Sequence, residues 1–169
     1  MIAVEEENIS FGNYGEFNKW NNDIKCIAYG DNKWVACGSY NNYSGTNYCI
    51  IVYSVDNGET WLPVTYKPYF TYISDIAYGD GRWIVDGSGT AYSDNVTSWN
   101  YIYGDNGIEK LGWGGTYGGN GKWIFGGWYS DDNGETWKES YPYPYSGIAY
   151  GNGRWVAVGS NGVIEYTDW

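Results

Sequence analysis

The chain contains no histidine. That absence removes the commonest general base, the Ser–His and Cys–His nucleophile pairs, and the commonest metal ligand. Arginine is nearly absent as well, with Arg82 and Arg154 the whole supply. Basic residues are scarce in general: 9 Lys and Arg stand against 20 Asp and Glu, a net charge of −11. Binding to nucleic acid needs a basic patch to neutralise phosphate, so no nucleic-acid partner is expected. No uninterrupted apolar run approaches the roughly 18 residues of a spanning helix, so no insertion into a membrane is expected. The first residues, Met1-Ile2-Ala3-Val4-Glu5-Glu6-Glu7, have neither the cationic nor the apolar segment of a signal peptide. The expectation is a chain made in the cytoplasm and not exported by the general secretory route. Cysteines number three, Cys26, Cys37 and Cys49, so at least one is unpaired within the chain.

Glycine and aromatics are abundant instead. There are 26 Gly in 169 residues, and 21% of the chain is Phe, Trp or Tyr. So much aromatic surface demands burial, and the length suits one domain over residues 1–169.

Four segments repeat. Ile27-Ala28-Tyr29-Gly30-Asp31-Asn32-Lys33-Trp34-Val35 is matched by Ile76-Ala77-Tyr78-Gly79-Asp80-Gly81-Arg82-Trp83-Ile84. It is matched again around Tyr117-Gly118 to Trp123-Ile124, and by Ile148-Ala149-Tyr150-Gly151-Asn152-Gly153-Arg154-Trp155-Val156. Asp80-Gly81 and Asn152-Gly153 are strong signals for two-residue hairpin turns, because such turns need positive φ at both central residues. If Asp31-Asn32 turns the same way, Cys26 and Cys37 fall opposite each other across the hairpin. A second motif follows each hairpin. Ser54-Val55-Asp56-Asn57-Gly58-Glu59-Thr60-Trp61 recurs as Ser130-Asp131-Asp132-Asn133-Gly134-Glu135-Thr136-Trp137. Ser93-Asp94-Asn95-Val96-Thr97-Ser98-Trp99 is a weaker copy, and Tyr166-Thr167-Asp168-Trp169 reads as a compressed one.

This second pattern resembles the Asp-box of bacterial-neuraminidase-type (BNR) repeats. The resemblance implies an all-β fold, a small β-propeller, with the box forming the turn between the third and fourth strands of a blade. Repeats of about this length suit four blades of four antiparallel strands. They are placed near 22–66, 71–104, 111–141 and 145–169. The last repeat stops at Trp169 without a fourth strand, so residues 1–20 are expected to supply a closing strand. The rival arrangement is an open ring completed by another copy of the chain. Eight tryptophans belong to the hairpins and boxes and are expected between blades: Trp34, Trp83, Trp123 and Trp155, then Trp61, Trp99, Trp137 and Trp169.

Catalysis is not expected. Sialidases resembling this family clamp a carboxylate with three arginines, and here both arginines precede repeat tryptophans. No carboxylate pair is marked out for glycoside hydrolysis. Asp86 breaks an apolar run where other blades have Cys37, Gly126 or Val158, which suggests a position on the central channel. The run Asp131-Asp132-Asn133-Gly134-Glu135 departs from calcium-loop spacing, so neither metal nor cofactor is expected.

In an antiparallel blade the hairpin turns and the boxes share one end. The long second turn of the first blade and the links between blades share the other. Tyr40, Tyr43, Tyr69, Phe70, Tyr141 and Tyr143 gather at that second end, beside Asn, Ser and Gly. Such mixtures suit adaptable recognition and sugar stacking, and they form the expected ligand surface. The resemblance implies a non-enzymatic binding or assembly module of a phage or prophage tail or fibre. It would recognise a surface glycan or protein and reach the virion or the exterior after lysis. The alternatives are a free-standing lectin and a structural protomer of a ring or filament.

Overall fold

A computed structural model describes residues 21–41, 45–102, 114–139 and 145–169. The positive-φ turn dipeptides dictate the local structure. Asp31 and Asn32 adopt φ of 46° and 55°, Asp80 and Gly81 43° and 79°, and Asn152 and Gly153 52° and 81°. Each pair closes a hairpin of two alternating strands. The first blade is β1 (Asn21–Gly30), β2 (Lys33–Asn41), β3 (Asn47–Ser54) and β4 (Leu62–Pro63). The second is β5 (Ile73–Gly79), β6 (Arg82–Gly87), β7 (Thr90–Ser93) and β8 (Asn100–Tyr101). The third is β9 (Gly115–Tyr117), β10 (Trp123–Phe125), β11 (Trp128–Ser130) and β12 (Lys138–Glu139). The fourth is β13 (Tyr145–Gly151), β14 (Arg154–Gly159) and β15 (Ile164–Thr167). Strands pair in chain order and antiparallel, giving three four-stranded sheets and one of three strands. The expected four-bladed, all-β architecture is therefore present. The expected closing segment, 1–20, lies outside the described residues.

Hairpin register places Cys26 opposite Cys37, as the turn requires. All three cysteines are free thiols, with Cys37 and Cys49 buried. Cys26 turns its Sγ toward the Cys37 carbonyl at 3.8 Å.

Blades stack through one repeated contact. A Cβ on Gly30 would overlap the Tyr78 ring of the second blade, and one on Gly79 would overlap Tyr117 of the third. One on Gly118 would strike Trp155 of the fourth. Each blade thus has a leading face, carrying the glycine, and a trailing face, carrying the aromatics. Val35, Cys37 and Ile51 on the leading face of the first blade pack with Ile76, Trp83 and Val85 of the second. Ala77, Ile84 and Ile102 pack with Trp123, Phe125 and Trp137 of the third.

The two full Asp-boxes fold alike. The Ser54 hydroxyl donates to Asp56 Oδ1 at 2.7 Å and accepts the Gly58 N–H at 2.8 Å. Asp56 Oδ1 accepts the Thr60 N–H at 2.8 Å, and Trp61 Nε1 donates to the Gly58 carbonyl at 3.1 Å. Ser130, Asp132, Gly134, Thr136 and Trp137 repeat these bonds in the third blade. The second blade substitutes Asn95 for the aspartate and lacks one residue. Val96 therefore takes the glycine place at φ 73°, an unusual conformation for a β-branched residue, and its side chain is buried.

The fourth copy differs from its reading as a compressed box. Thr167 stands opposite Trp155 as Ser54, Ser93 and Ser130 stand opposite Trp34, Trp83 and Trp123. Thr167 is therefore the serine of the box, and Asp168 corresponds to Asp94. The Arg154–Asp168 pair accordingly repeats Arg82–Asp94. Trp169 falls in the place of Asp56 and Asp132, not of the box tryptophan. Asp86 is not open to a channel: it is fully buried, with Oδ1 accepting the Thr90 hydroxyl at 2.6 Å.

Two outcomes are expected. Gly79→Ala should lower the stability by about 1–3 kcal/mol through overpacking, read as a lower urea midpoint at unchanged slope. Bonds from the Thr60 hydroxyl and amide and from Ser54 hold the Asp56 carboxyl down at about 2. Burial works against Asp132, but bonds from Thr136, Ser130 and Glu135 outweigh it and keep that carboxyl low as well. Groups lowered by folding stabilise above the unfolded carboxylate range and lose that contribution as pH falls toward their folded values. The double variant Asp56→Asn/Asp132→Asn should be less stable at pH 7 and should lose less stability than the parent between pH 4 and 2. Parallel acid titrations of the two proteins would check this.

Candidate binding surfaces

At the loop end, the expected tyrosines divide. Tyr40, near the end of β2, is half-buried and stacks on Tyr48 with centroids 5.4 Å apart. Lys67, from the link to the second blade, lies 5.1 Å over the Tyr40 ring and donates to the Cys49 carbonyl at 2.6 Å. Burial lowers the Lys67 ammonium and raises the Tyr40 phenol. Tyr69 is 97% exposed, and its N–H donates to the Tyr101 hydroxyl at 2.6 Å. Phe70 is buried, packed edge-on to Tyr101 at 5.5 Å and under Gly89. Its backbone carbonyl accepts the Cys49 N–H at 2.8 Å. Phe70 therefore anchors the link and offers no face to a ligand, a correction to its reading as a binding residue. Tyr43, Tyr141 and Tyr143 lie outside the described residues.

A second surface lies between the third and fourth blades. It is a groove of about 440 Å³ whose walls include Tyr129, Tyr145, Trp155, Glu165, Tyr166 and Trp169. Its origin is a local difference between neighbouring blades. Where the third blade fills its trailing face with Phe125 and Trp137, the fourth has Ala157, the counterpart of Ala36 in the first, and no box tryptophan among the described residues. The space left is partly lined by Trp169, which packs edge-on to Tyr129 at 5.0 Å and lies 6.0 Å from Trp155. Lys122 sits 4.7 Å over the Trp169 ring. At the polar side, the Tyr145 hydroxyl donates to Glu165 Oε2 at 2.6 Å.

Trp155 differs from its counterparts in one hydrogen bond. In the first and third blades the hairpin indole donates to the box asparagine, Trp34 to Asn57 at 3.3 Å and Trp123 to Asn133 at 3.1 Å. The buried Trp155 Nε1 has no acceptor among the described residues.

Beside the groove runs β15. Among the described residues it pairs with β14 alone, where the third strand of every other blade has a further partner. No three His, Cys, Asp or Glu side chains converge as a metal site among the described residues. The groove was not legible in the sequence. Its residues are ordinary repeat positions, and the space depends on how the small Ala157 faces the neighbouring blade.

A BNR/Asp-box repeat family model matches residues 128–139, the third box with its flanking strands. No curated protein sequence matches the chain. Among solved structures, YCF48 from Cyanidioschyzon merolae is similar at TM-score 0.57 and 14% identity, over 88% of this chain and 53% of that one. YCF48 bound to D1 peptide is similar at TM-score 0.61 and 16% identity, over 90% of this chain and 54% of that one. The chain spans about half the length of each. The blades and these likenesses make the chain a β-propeller, with a BNR/Asp-box repeat match at residues 128–139.

Proposed function

We propose that this propeller is a non-enzymatic binding module that seats an extended polypeptide segment between its third and fourth blades. The observation that carries this reading is the aromatic groove lying beside β15, which among the described residues pairs with β14 alone. An extended segment adding to a free edge gains main-chain hydrogen bonds, and a neighbouring pocket selects its side chains. Here that pocket offers flat aromatic walls and Glu165, within a chain of net charge −11. A segment bearing a basic side chain beside an apolar or aromatic one fits this chemistry. A peptide-bound YCF48 among the similar structures supports the same class of partner.

The second reading is glycan recognition at the loop end, supported by the almost fully exposed Tyr69. Placement in a phage or prophage tail, with release from the cytoplasm by lysis, is supported by the family resemblance alone. Either ligand class is compatible with that setting.

The test is selection from a displayed library of linear peptides, with a glycan array run in parallel. Selected peptides should carry Lys or Arg next to an apolar residue. Tyr129→Ala and Glu165→Gln should each weaken their binding by about tenfold or more, with folding intact by circular dichroism. An empty peptide selection, together with a glycan signal that Tyr69→Ala abolishes, would overturn the groove reading in favour of the second.

A further inference from the structure

Three of the inner hairpins carry the same irregularity. One extra residue interrupts each pairing: Lys25 between Ile24 and Cys26, Ser74 between Ile73 and Asp75, and Ser146 between Tyr145 and Gly147. The residue after each bulge faces one residue of the next strand. Cys26 faces Cys37, Asp75 faces Asp86, and Gly147 faces Val158. A bulge breaks the backbone ladder locally. In the second and fourth blades the extra residue bridges the break with its side chain. The Ser74 hydroxyl donates to the Asp86 carbonyl at 3.2 Å, and the Ser146 hydroxyl donates to the Val158 carbonyl at 3.3 Å. The first blade has a lysine there. Lys25 pairs with Asp23 of its own strand instead. The side-chain donor at the Cys37 carbonyl is the Cys26 thiol, a weak donor 3.8 Å away.

What the first blade does have at its bulge is two facing thiols. Directly opposed residues of antiparallel strands have Cα atoms about 4.5–5.5 Å apart, and a disulfide spans roughly 4.4–6.8 Å. The two sulfurs differ in access. Cys37 is fully buried in the cluster that holds Val35, Ile51, Ile76 and Trp83. Burial, and after it hydrogen bonding with the Cys26 thiol, raises the Cys37 thiol well above its ordinary range. Cys26 is half-buried, so a reagent arriving from solvent meets it first. Cys49 stands apart from the pair. It lies opposite Ser39, and its Sγ donates to the Pro68 carbonyl at 3.1 Å.

We infer that Cys26 and Cys37 form a reversible redox site, oxidised by a small disulfide of the glutathione class, and that their disulfide bridges the bulge that serines bridge in the second and fourth blades. Cys26 loses its proton to solvent, and its thiolate attacks one sulfur of oxidised glutathione. The glutathione S–S bond breaks, one glutathione leaves as its thiolate, and a mixed disulfide stands on Cys26. Cys37 then gives up its proton and attacks the Cys26 sulfur, which displaces the second glutathione. Two protein thiols are oxidised to one disulfide, and one glutathione disulfide is reduced to two thiols, which take up the two protons. Beyond the bulge Asp23 pairs with Ser39 and Asn22 with Tyr40. The bridge therefore ties down the part of the hairpin that carries Tyr40 to the loop end.

The experiment equilibrates the purified full chain in glutathione buffers of rising oxidised-to-reduced ratio. Each sample is quenched in acid, alkylated in denaturant and read by intact mass and peptide map. Wild type should pass from three alkylated cysteines to one, with the map joining Cys26 to Cys37, and excess reduced glutathione should reverse the change. Cys49→Ser should form the same bridge, and Cys26→Ser should form none. Amides of Asn21–Ile24 should exchange their hydrogens several-fold more slowly in the oxidised protein than in the reduced one. Three alkylated cysteines at every ratio would overturn the inference. So would a bridge that includes Cys49, or exchange at Asn21–Ile24 that oxidation leaves unchanged.

Discussion

An aromatic ring resting on a bare glycine is the contact from which this molecule is assembled. Sheets with one large side chain on every position could not approach closely enough to exclude water. Gly30, Gly79 and Gly118 remove the obstacle at the hairpin end, and Tyr78, Tyr117 and Trp155 fill the space that results. The rings bury large apolar areas, and their tilted packing on the hairpin tryptophans adds to this, with centroids 4.5 Å apart for Tyr78–Trp83 and 4.7 Å for Tyr117–Trp123. The repeated sequence Tyr-Gly followed by a tight turn therefore encodes the hairpin and the blade-to-blade fit in the same few residues. In the first three blades the boxes then fix the outer turn, and Trp61, Trp99 and Trp137 complete the trailing face.

Function follows from where this regularity breaks. Identical blades would leave little unfilled space between them. The fourth blade differs from the third in having Ala157 where the third has Phe125, as the first blade has Ala36, and in placing Trp169 where the box aspartate stands. These differences shape the groove, and among the described residues the Trp155 indole N–H has no acceptor and β15 pairs with β14 alone. The same blade keeps its leading face regular, and Val156, Val158, Ile164 and Tyr166 on that face are exposed.

Much of this was legible in the residues. The turn dipeptides gave strand pairing and even the Cys26–Cys37 register, because positive φ at two residues leaves a single alignment. The boxes at Ser54–Trp61 and Ser130–Trp137 were legible because every polar group in them has a required partner. Register across β14 and β15 was not. Trp169 looks like a box tryptophan in one dimension, and pairing alone shows that it occupies an aspartate's place. Phe70 was misread for a related reason. It sits in a loop of exposed tyrosines, and burial under Gly89 is a long-range fact that its neighbours do not announce. The groove was beyond sequence reading, since it depends on how Ala157 faces the neighbouring blade.

The central claim is that a blade between two neighbours is held on both of its faces, whereas the fourth, among the described residues, has a neighbour on one. Hydrogen exchange of the dilute protein, followed strand by strand, tests this most directly. Amides of β7, in the second blade, should exchange slowest and those of β15, its counterpart in the fourth, fastest. Equal protection of Thr90–Ser93 and Ile164–Thr167 would contradict an open fourth blade.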